Sequence, residues 1–313
     1  MTIRPFTESD YPAFVAVANA AYPDYPETPE EARHYDSTRP ERVRWGRLLA
    51  EQDGNVVGVG FWGNNNDMFH PQKFGIDIAT LPEVRGTGIG KALYNACADA
   101  MRPYDPILYR CQVRENDDRS LRFMQDRGFG EAQRDWESRF EPKNFDRAAH
   151  AEAEARVAEQ GIRIYPLAEL MNTPGWEEKL YEMDCAVISD MPMTDVYTKP
   201  EFSDWKKSTL ESPGFWPQGY FVALDGDKYV GESTLWTQKS GPDLYVGATG
   251  VLPEYRRRGI ALALKVHACQ AAKDRGTPEL KTWNASTNVG MLSINQKLGF
   301  VRFPAWIVFE KTL

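Results

Sequence analysis

The chain has 313 residues, more than one hydrophobic core usually organises, so two domains of about 150 residues are expected. Hydrophobic residues make up 42% and charged residues 26%, the balance of a globular protein in water, and no run approaches the ~20 apolar residues of a membrane span. The net charge of −8 disfavours a nucleic-acid binder and suits either cationic substrates or solubility alone.

Four scattered cysteines, Cys97, Cys111, Cys185 and Cys269, fit a reducing compartment rather than a disulfide framework. The four histidines stand apart from one another, so no metal site is expected. The opening MTIRPFTESD has no apolar signal core, which makes the cytoplasm the expected location.

In chain order, Ile3-Arg4 opens a short strand, and the apolar spacing that follows predicts a helix capped by Ser9 or Asp10. Asp24-Tyr25-Pro26-Glu27-Thr28 reads as a loop. RWGRLLAEQDGNVVGVGFWG predicts two strands joined at Asp53-Gly54. FGIDIATL is a third strand, and it runs into a glycine-rich turn that opens a helix with Ile89, Ala92, Leu93, Ala96 and Ala100 on one side. A Gly128-Phe129 pair comes later, and 142–160, rich in Ala, Glu and Arg, reads as a helical or flexible linker.

The order then repeats. LPEVRGTGIGKALYNACADAMR at 81–102 aligns with LPEYRRRGIALALKVHACQAAK at 252–273, an offset of 171 residues, and Gly299-Phe300 recurs at the same offset. Asp225-Gly226, Val230-Gly231, Asp190-Met191-Pro192-Met193-Thr194 and Ile162-Arg163 echo the earlier segments in the same order. Such ordered matches indicate a duplicated domain, with halves at 1–141 and 161–313. Each half reads as α/β (α+β): a mixed, mostly antiparallel sheet flanked by helices.

The sharpest local feature is the turn, Arg85-Gly86-Thr87-Gly88-Ile89-Gly90-Lys91 in the first half and Arg256-Arg257-Arg258-Gly259-Ile260-Ala261 in the second. Small residues at a helix start let backbone N–H groups approach an anion, and the helix dipole favours a pyrophosphate there. The spacing differs from the dinucleotide-binding fingerprint, which disfavours a nucleotide-dependent oxidoreductase.

Arg-x-x-Gly-x-Gly/Ala with a later Gly-Phe, once per half, resembles the GNAT superfamily of acyl-CoA transferases. The second half, with Asn284, Asn288, Met291 and Asn295 ahead of Leu298-Gly299-Phe300, is similar to the second domain of tandem members of the mycothiol synthase type. The resemblance implies acetyl-CoA as co-substrate, its pyrophosphate on the turn and its pantetheine arm on the strand ends Ala79-Thr80 and Gly250-Val251. It also implies a splay between two central strands, and acetyl transfer to the primary amine of a small molecule.

The pattern departs from the family at the Tyr four residues before Gly-Phe, where Met124 and Asn295 stand; neither is a general acid. The family's upstream Asn is Asn288 in the second half and Asp117 in the first. Asn288 and Asn295 either bind the coenzyme arm or buttress a helix. Candidate bases are Asp77 and Glu232, and Asp24 and Asp190 are candidate acceptor contacts, the alternative being plain turn residues. His267, on the apolar stripe of the second helix, reads as a core or interface histidine.

Resemblance to other tandem members favours the second half for catalysis. The alternatives are a non-catalytic acyl-CoA-binding or sensing protein, which the missing tyrosines suit, and a protein or peptide N-acetyltransferase. A monomer or homodimer is expected, without nucleic-acid or membrane partners.

Overall fold

The computed structural model describes residues 1–313. The first half begins with β1 (Thr2–Pro5), α1 (Tyr11–Ala21) and α2 (Pro29–Ser37). Neither Ser9 nor Asp10 caps α1 through its side chain. Asp10 turns back instead, its carboxylate accepting from the Thr7 N–H and hydroxyl at 2.7 Å and from Arg4 at 2.8 Å. Thr28 and Glu31 form a reciprocal capping box that starts α2.

Strands β2 (Trp45–Gln52) and β3 (Asn55–Gly63) make the expected hairpin, with Asp53 and Gly54 at φ 52° and 79° in its turn. Then come β4 (Lys73–Thr80), α3 (Ile89–Met101), β5 (Leu108–Arg114), α4 (Asp118–Gln125) and β6 (Gly130–Phe140).

The second half repeats these parts after α5 (Ala151–Glu159): β7 (Ile162–Pro166), α6 (Leu167–Leu170), α7 (Trp176–Ser189) and α8 (Phe202–Thr209). It continues with β8 (Phe215–Asp225), β9 (Lys228–Trp236), β10 (Leu244–Val251), α9 (Ile260–Asp274), β11 (Leu280–Ala285) and α10 (Val289–Lys297). It ends with β12 (Val301–Arg302) and β13 (Trp306–Thr312).

Two compact units result, and they interleave along the chain. The first contains 1–134, 194–200 and 305–313; the second contains 135–193 and 201–304. The first sheet runs β1-β2-β3-β4-β5-β13, all antiparallel except β4-β5. The second runs β7-β8-β9-β10-β11, closed by 135–140 of β6, with β10-β11 the parallel pair. By the offset of 171, β13 is the counterpart of 135–141, so each unit closes its sheet with the last strand of the other repeat. The segment 142–160 takes the helical form, and its Phe145 and Val157 are buried in the core of the second unit.

Helices cover both faces of each sheet. In the first unit α1 packs Tyr11, Phe14, Val15 and Val17 on Leu49, Val59 and Ala79. On the other face α3 buries Ile89, Leu93, Cys97 and Met101. In the second unit α7 and α8 cover Tyr220 and Val222 on one face, and α9 covers Phe221, Ala223 and Val246 on the other. Burying each such side chain contributes roughly 1.5–3 kcal/mol, which fixes the register of the strands that carry the turn.

In each unit the parallel pair holds only at its start. β4 and β5 pair from Lys73–Leu108 to Gly75–Arg110 and then part. β10 and β11 pair at Leu244–Leu280 and Tyr245–Lys281 and then part. Both halves therefore carry the expected splay, and β10 adds a bulge between Val246 and Thr249.

Candidate functional site

The first turn follows the splayed end of β4. Gly86 and Gly88 sit at φ 91° and 95°, a left-handed conformation that strains any side chain with a β-carbon. Gly88 is the N-cap of α3 and offers no side-chain cap, so the first N–H groups of the helix lack intrahelical partners. The Thr87 hydroxyl closes the turn by donating to the Val84 carbonyl at 2.8 Å. Ile89 is buried in the core, so only its backbone N–H is available at the turn.

A cleft of about 690 Å³ opens over this turn, lined by Thr80, Arg85, Gly86, Gly88, Gly90 and Lys91, and by α4 and its flanks. Five cations line it, Arg85, Lys91, Arg119, Arg122 and Arg127, against two carboxylates, Asp118 and Asp126. Arg119 Nη2 comes within 3.8 Å of where a β-carbon on Gly86 would stand. Arg127 stacks on Phe123, 3.4 Å from its ring centre. A surplus of cations beside unpartnered N–H groups fits a polyphosphate anion.

A second cleft of the same unit, about 470 Å³, lies on the α1 side of β4. Asp77, Ala79, Glu27 and Gln112 line it, with an aromatic wall of Phe14, Tyr22, Tyr25, Tyr35, Phe61 and Trp306. Ile78 lines both clefts, so β4 is their common wall where it leaves β5.

The cleft walls set the protonation of its groups. Asp77 is exposed to cleft solvent, yet the walls around it raise its pKa, with Arg47 pulling the other way. Burial pushes Glu27 up to about 7, again against Arg47. Tyr22 rises to about 12, chiefly by burial and then by the charge of Asp77. At neutral pH the cleft therefore holds a carboxyl poised to exchange a proton and a phenol that keeps its own.

The second turn copies the backbone of the first with different chemistry. Gly259 sits at φ 85°, and Arg257, where the first half has Gly86, is forced to φ 63°. Arg256 is ion-paired to Asp190. Arg258 donates to Gln160 at 2.9 Å and lies over the Tyr255 ring. Ile260 is buried, and Ala261 follows it in the first turn of α9. Gly250 and Val251 pair with Glu232 and Gly231, and Gly250 faces Val187 so closely that a β-carbon would stand 2.5 Å from it.

At the offset of 171, Lys91, Arg119, Arg122 and Arg127 become Leu262, Gly290, Ser293 and Leu298. A cleft of about 700 Å³ beside α10 contains Asn295 and a single cation, Arg302, which stacks over Trp136.

Several sequence-derived candidates are committed to the protein itself. Glu232 has no exposed surface; it accepts a hydrogen bond from the Tyr220 hydroxyl, and burial beside Asp184 raises its pKa well above the carboxylate range. Asn288 caps α10 by accepting from the Met291 N–H at 3.2 Å, and Asp117 caps α4 in the same way. Asn295 accepts from the buried Lys265 at 2.6 Å and donates to Asn284 at 2.7 Å. Asp24 is ion-paired to Arg114 at 3.3 Å. His267 meets Glu154 of α5 at 3.1 Å, within the second unit. Met124 is buried.

The structure thus brings Thr80, Arg85, Gly86, Gly88, Gly90 and Lys91 to one cleft and Asp77 and Ala79 to its neighbour. Sequence reading missed Arg119, Arg122 and Arg127, although comparing the two repeats position by position would have exposed them. It also missed Glu27, three residues after Asp24 in a segment already singled out.

The sequence profile of the acetyltransferase (GNAT) family matches residues 8–129 and 184–300. The chain belongs to this family.

Among the relatives of this GNAT protein, an N-alpha-acetyltransferase 30 of Schizosaccharomyces pombe is 33% identical over 92 residues, 28% of this chain. The chain spans 61% of that relative's length. The mycothiol acetyltransferase of Catenulispora acidiphila is 22% identical over 84% of this chain and 80% of its own. That of Pseudarthrobacter chlorophenolicus is 21% identical over 76% and 71%.

Among solved structures, a tandem GNAT protein from the clavulanic acid biosynthesis pathway superposes with a TM-score of 0.73 at 15% identity, covering 99% of this chain and 98% of its own. A GCN5-related N-acetyltransferase from Sphaerobacter thermophilus gives 0.70 at 17%, covering 99% and 95%. At these identities the likeness concerns the fold. No group of three or more His, Cys, Asp or Glu is placed to hold a metal ion, and no helix is long and apolar enough to cross a membrane.

Proposed function

We propose that this protein transfers an acetyl group from acetyl-CoA to the primary amine of a small molecule, and that the first unit does it. The observation that carries this reading is the pair of clefts sharing the wall of β4 at Ile78: one cationic, over the turn, the other aromatic with carboxyls. The second half, favoured by family resemblance, has lost the four matching cations to Leu262, Gly290, Ser293 and Leu298 and has Arg256 and Arg258 tied to its own side chains.

In this reading the turn N–H groups and Arg85, Lys91, Arg119 and Arg122 hold the coenzyme phosphates, and Thr80 and Ala79 border the thioester. Acetyl-CoA supplies an activated carbonyl; the protein's part is to deliver a neutral amine and to manage two protons. Asp77, at the fork of β4 and β5, takes the proton of the incoming ammonium, and Glu27 passes it to solvent. Tyr22, whose environment registers both Asp77 and Arg85, gives a proton to the departing thiolate and recovers one from the nitrogen of the tetrahedral intermediate as it collapses to the amide. That phenol replaces the acid missing at Met124.

Calorimetry with acetyl-CoA on the wild type, Gly88→Glu and Gly259→Glu tests the assignment. Loss of binding in Gly88→Glu alone supports it, because a carboxylate there repels phosphate and strains φ 95°. Loss in Gly259→Glu alone moves the function to the second unit. No binding by the wild type ends the acetyltransferase reading.

A further inference from the structure

Next to the aromatic cleft, a side chamber of about 310 Å³ opens within the same unit. Arg39, Phe61 and Asp77 line both spaces and so form their junction. Three cations face the side chamber. Lys73 and Arg110 are neutralised, Lys73 by Asp195 and Arg110 by Glu310.

Arg39 differs. Its one ion pair is Nε to Asp36 at 3.3 Å, and Asp36 is already held bidentately by Arg47 at 2.9 and 3.0 Å. Two arginines therefore share one carboxylate, Asp67 and Asp77 are the acidic groups that line the side chamber, and the terminal nitrogens of Arg39 make no hydrogen bond within the protein. The guanidinium lies over the rings of Trp45 and Phe61, 5.1 and 4.8 Å from the ring centres. Phe61 stands directly opposite Asp77 across the β3–β4 ladder. A fixed, largely desolvated cation thus sits one strand away from a carboxyl group, with an aromatic ring between them.

We infer that the acceptor is an amine that also carries an anionic group, a carboxylate or a phosphate, with the anion on Arg39 and the amine at Asp77. This rests on the acetyl-transfer reading for the role of the amine, whereas the anion site stands on Arg39 itself. A simple alkylamine leaves the terminal nitrogens of Arg39 without an acceptor in the filled cleft, which penalises it against its anionic counterpart.

The test is equilibrium binding to the full chain of ω-amino carboxylates, ω-aminoalkyl phosphates and the matching n-alkylamines, from short to long, on the wild type, Arg39→Met and Arg39→Lys. At one or more lengths the wild type should bind an anionic member at least about tenfold more tightly than its plain amine. Arg39→Met should level that pair, and Arg39→Lys should restore part of the difference, since it keeps charge but not the planar fork. Whether carboxylate or phosphate gains more identifies the anion.

Equal affinities in the wild type, or a preference that survives Arg39→Met, overturns the anion site. Acetyl-CoA is titrated into the same samples. Coenzyme binding without an anion preference removes this site and leaves acetyl transfer standing. An anion preference lost in Arg39→Met, in a chain that ignores acetyl-CoA, keeps the site and removes acetyl transfer.

Discussion

Replacing Arg119 and Arg122 by Ala should weaken acetyl-CoA binding far more than any change at the second turn. Both arginines are exposed at the rim of the cationic cleft, with Arg119 over Gly86. A phosphate charge about 5 Å away gains roughly 0.8 kcal/mol in water and roughly 3 kcal/mol at the effective dielectric of a protein surface. A rim position lies between these, so about 1.4 kcal/mol, or tenfold in Kd, is expected for each single variant. The two share one anion and will not add fully, which puts the double variant at roughly 50-fold. The remaining affinity should also depend less on salt, because fewer charges are left to be screened.

Isothermal titration at low and physiological salt reads all of this, with Arg258→Ala as the comparison. Arg258 is bound to Gln160, so its loss should shift Kd by less than about threefold, or 0.6 kcal/mol. A double variant that binds within about twofold of the wild type (a change of 0.4 kcal/mol), or a tenfold loss in Arg258→Ala, would refute the assignment of the coenzyme to the first unit.

Other outcomes follow from the second cleft and the second core. With Glu27 pushed up to about 7, kcat/KM should rise as pH rises through 7, and Glu27→Gln should remove that limb of the profile. The same raised pKa means the folded state binds the extra proton, so Glu27 contributes less stability as pH rises from its unfolded value of 4.5 through 7; melting against pH checks the sign. Tyr22→Phe should lower kcat at least about tenfold while acetyl-CoA affinity holds, as stopped turnover and titration together would show. Glu232 is buried with its pKa raised, which favours its neutral form, and Gln is the closest uncharged mimic. Glu232→Gln should change stability by less than about 1 kcal/mol and flatten the decline in stability as pH rises above the unfolded value of 4.5, whereas Glu232→Ala should cost about 1–3 kcal/mol by stranding the Tyr220 hydroxyl.

Local chemistry was legible in the sequence because it is written in short spacings. Asp53-Gly54 can hardly be other than a tight turn, and the glycines at 86 and 88 mark left-handed backbone that the structure has at φ 91° and 95°. The offset of 171 residues announced two copies of one fold, and even Arg257 adopts the backbone of its glycine counterpart. Partnership was not legible. Nothing near Glu232 signals that Tyr220 and Asp184 enclose it, and nothing near Asp190 signals that Arg256 occupies it.

The exchange of last strands lies further still from any local signal. By the repeat, 135–140 should flank β5 and 306–312 should flank β11; the hydrogen bonds assign them the other way. The two strands read Asp-Trp-Glu-Ser-Arg-Phe and Trp-Ile-Val-Phe-Glu-Lys, but either sheet edge offers the same N–H and C=O row, so the local pattern does not name the edge each one joins. Residue spacing determined what each repeat can build. Only the tertiary structure decided which strand closes which sheet, and which charged groups are left to meet a ligand, because the first depends on pairings more than a hundred positions apart and the second on partners that lie anywhere from 3 to 200 positions away.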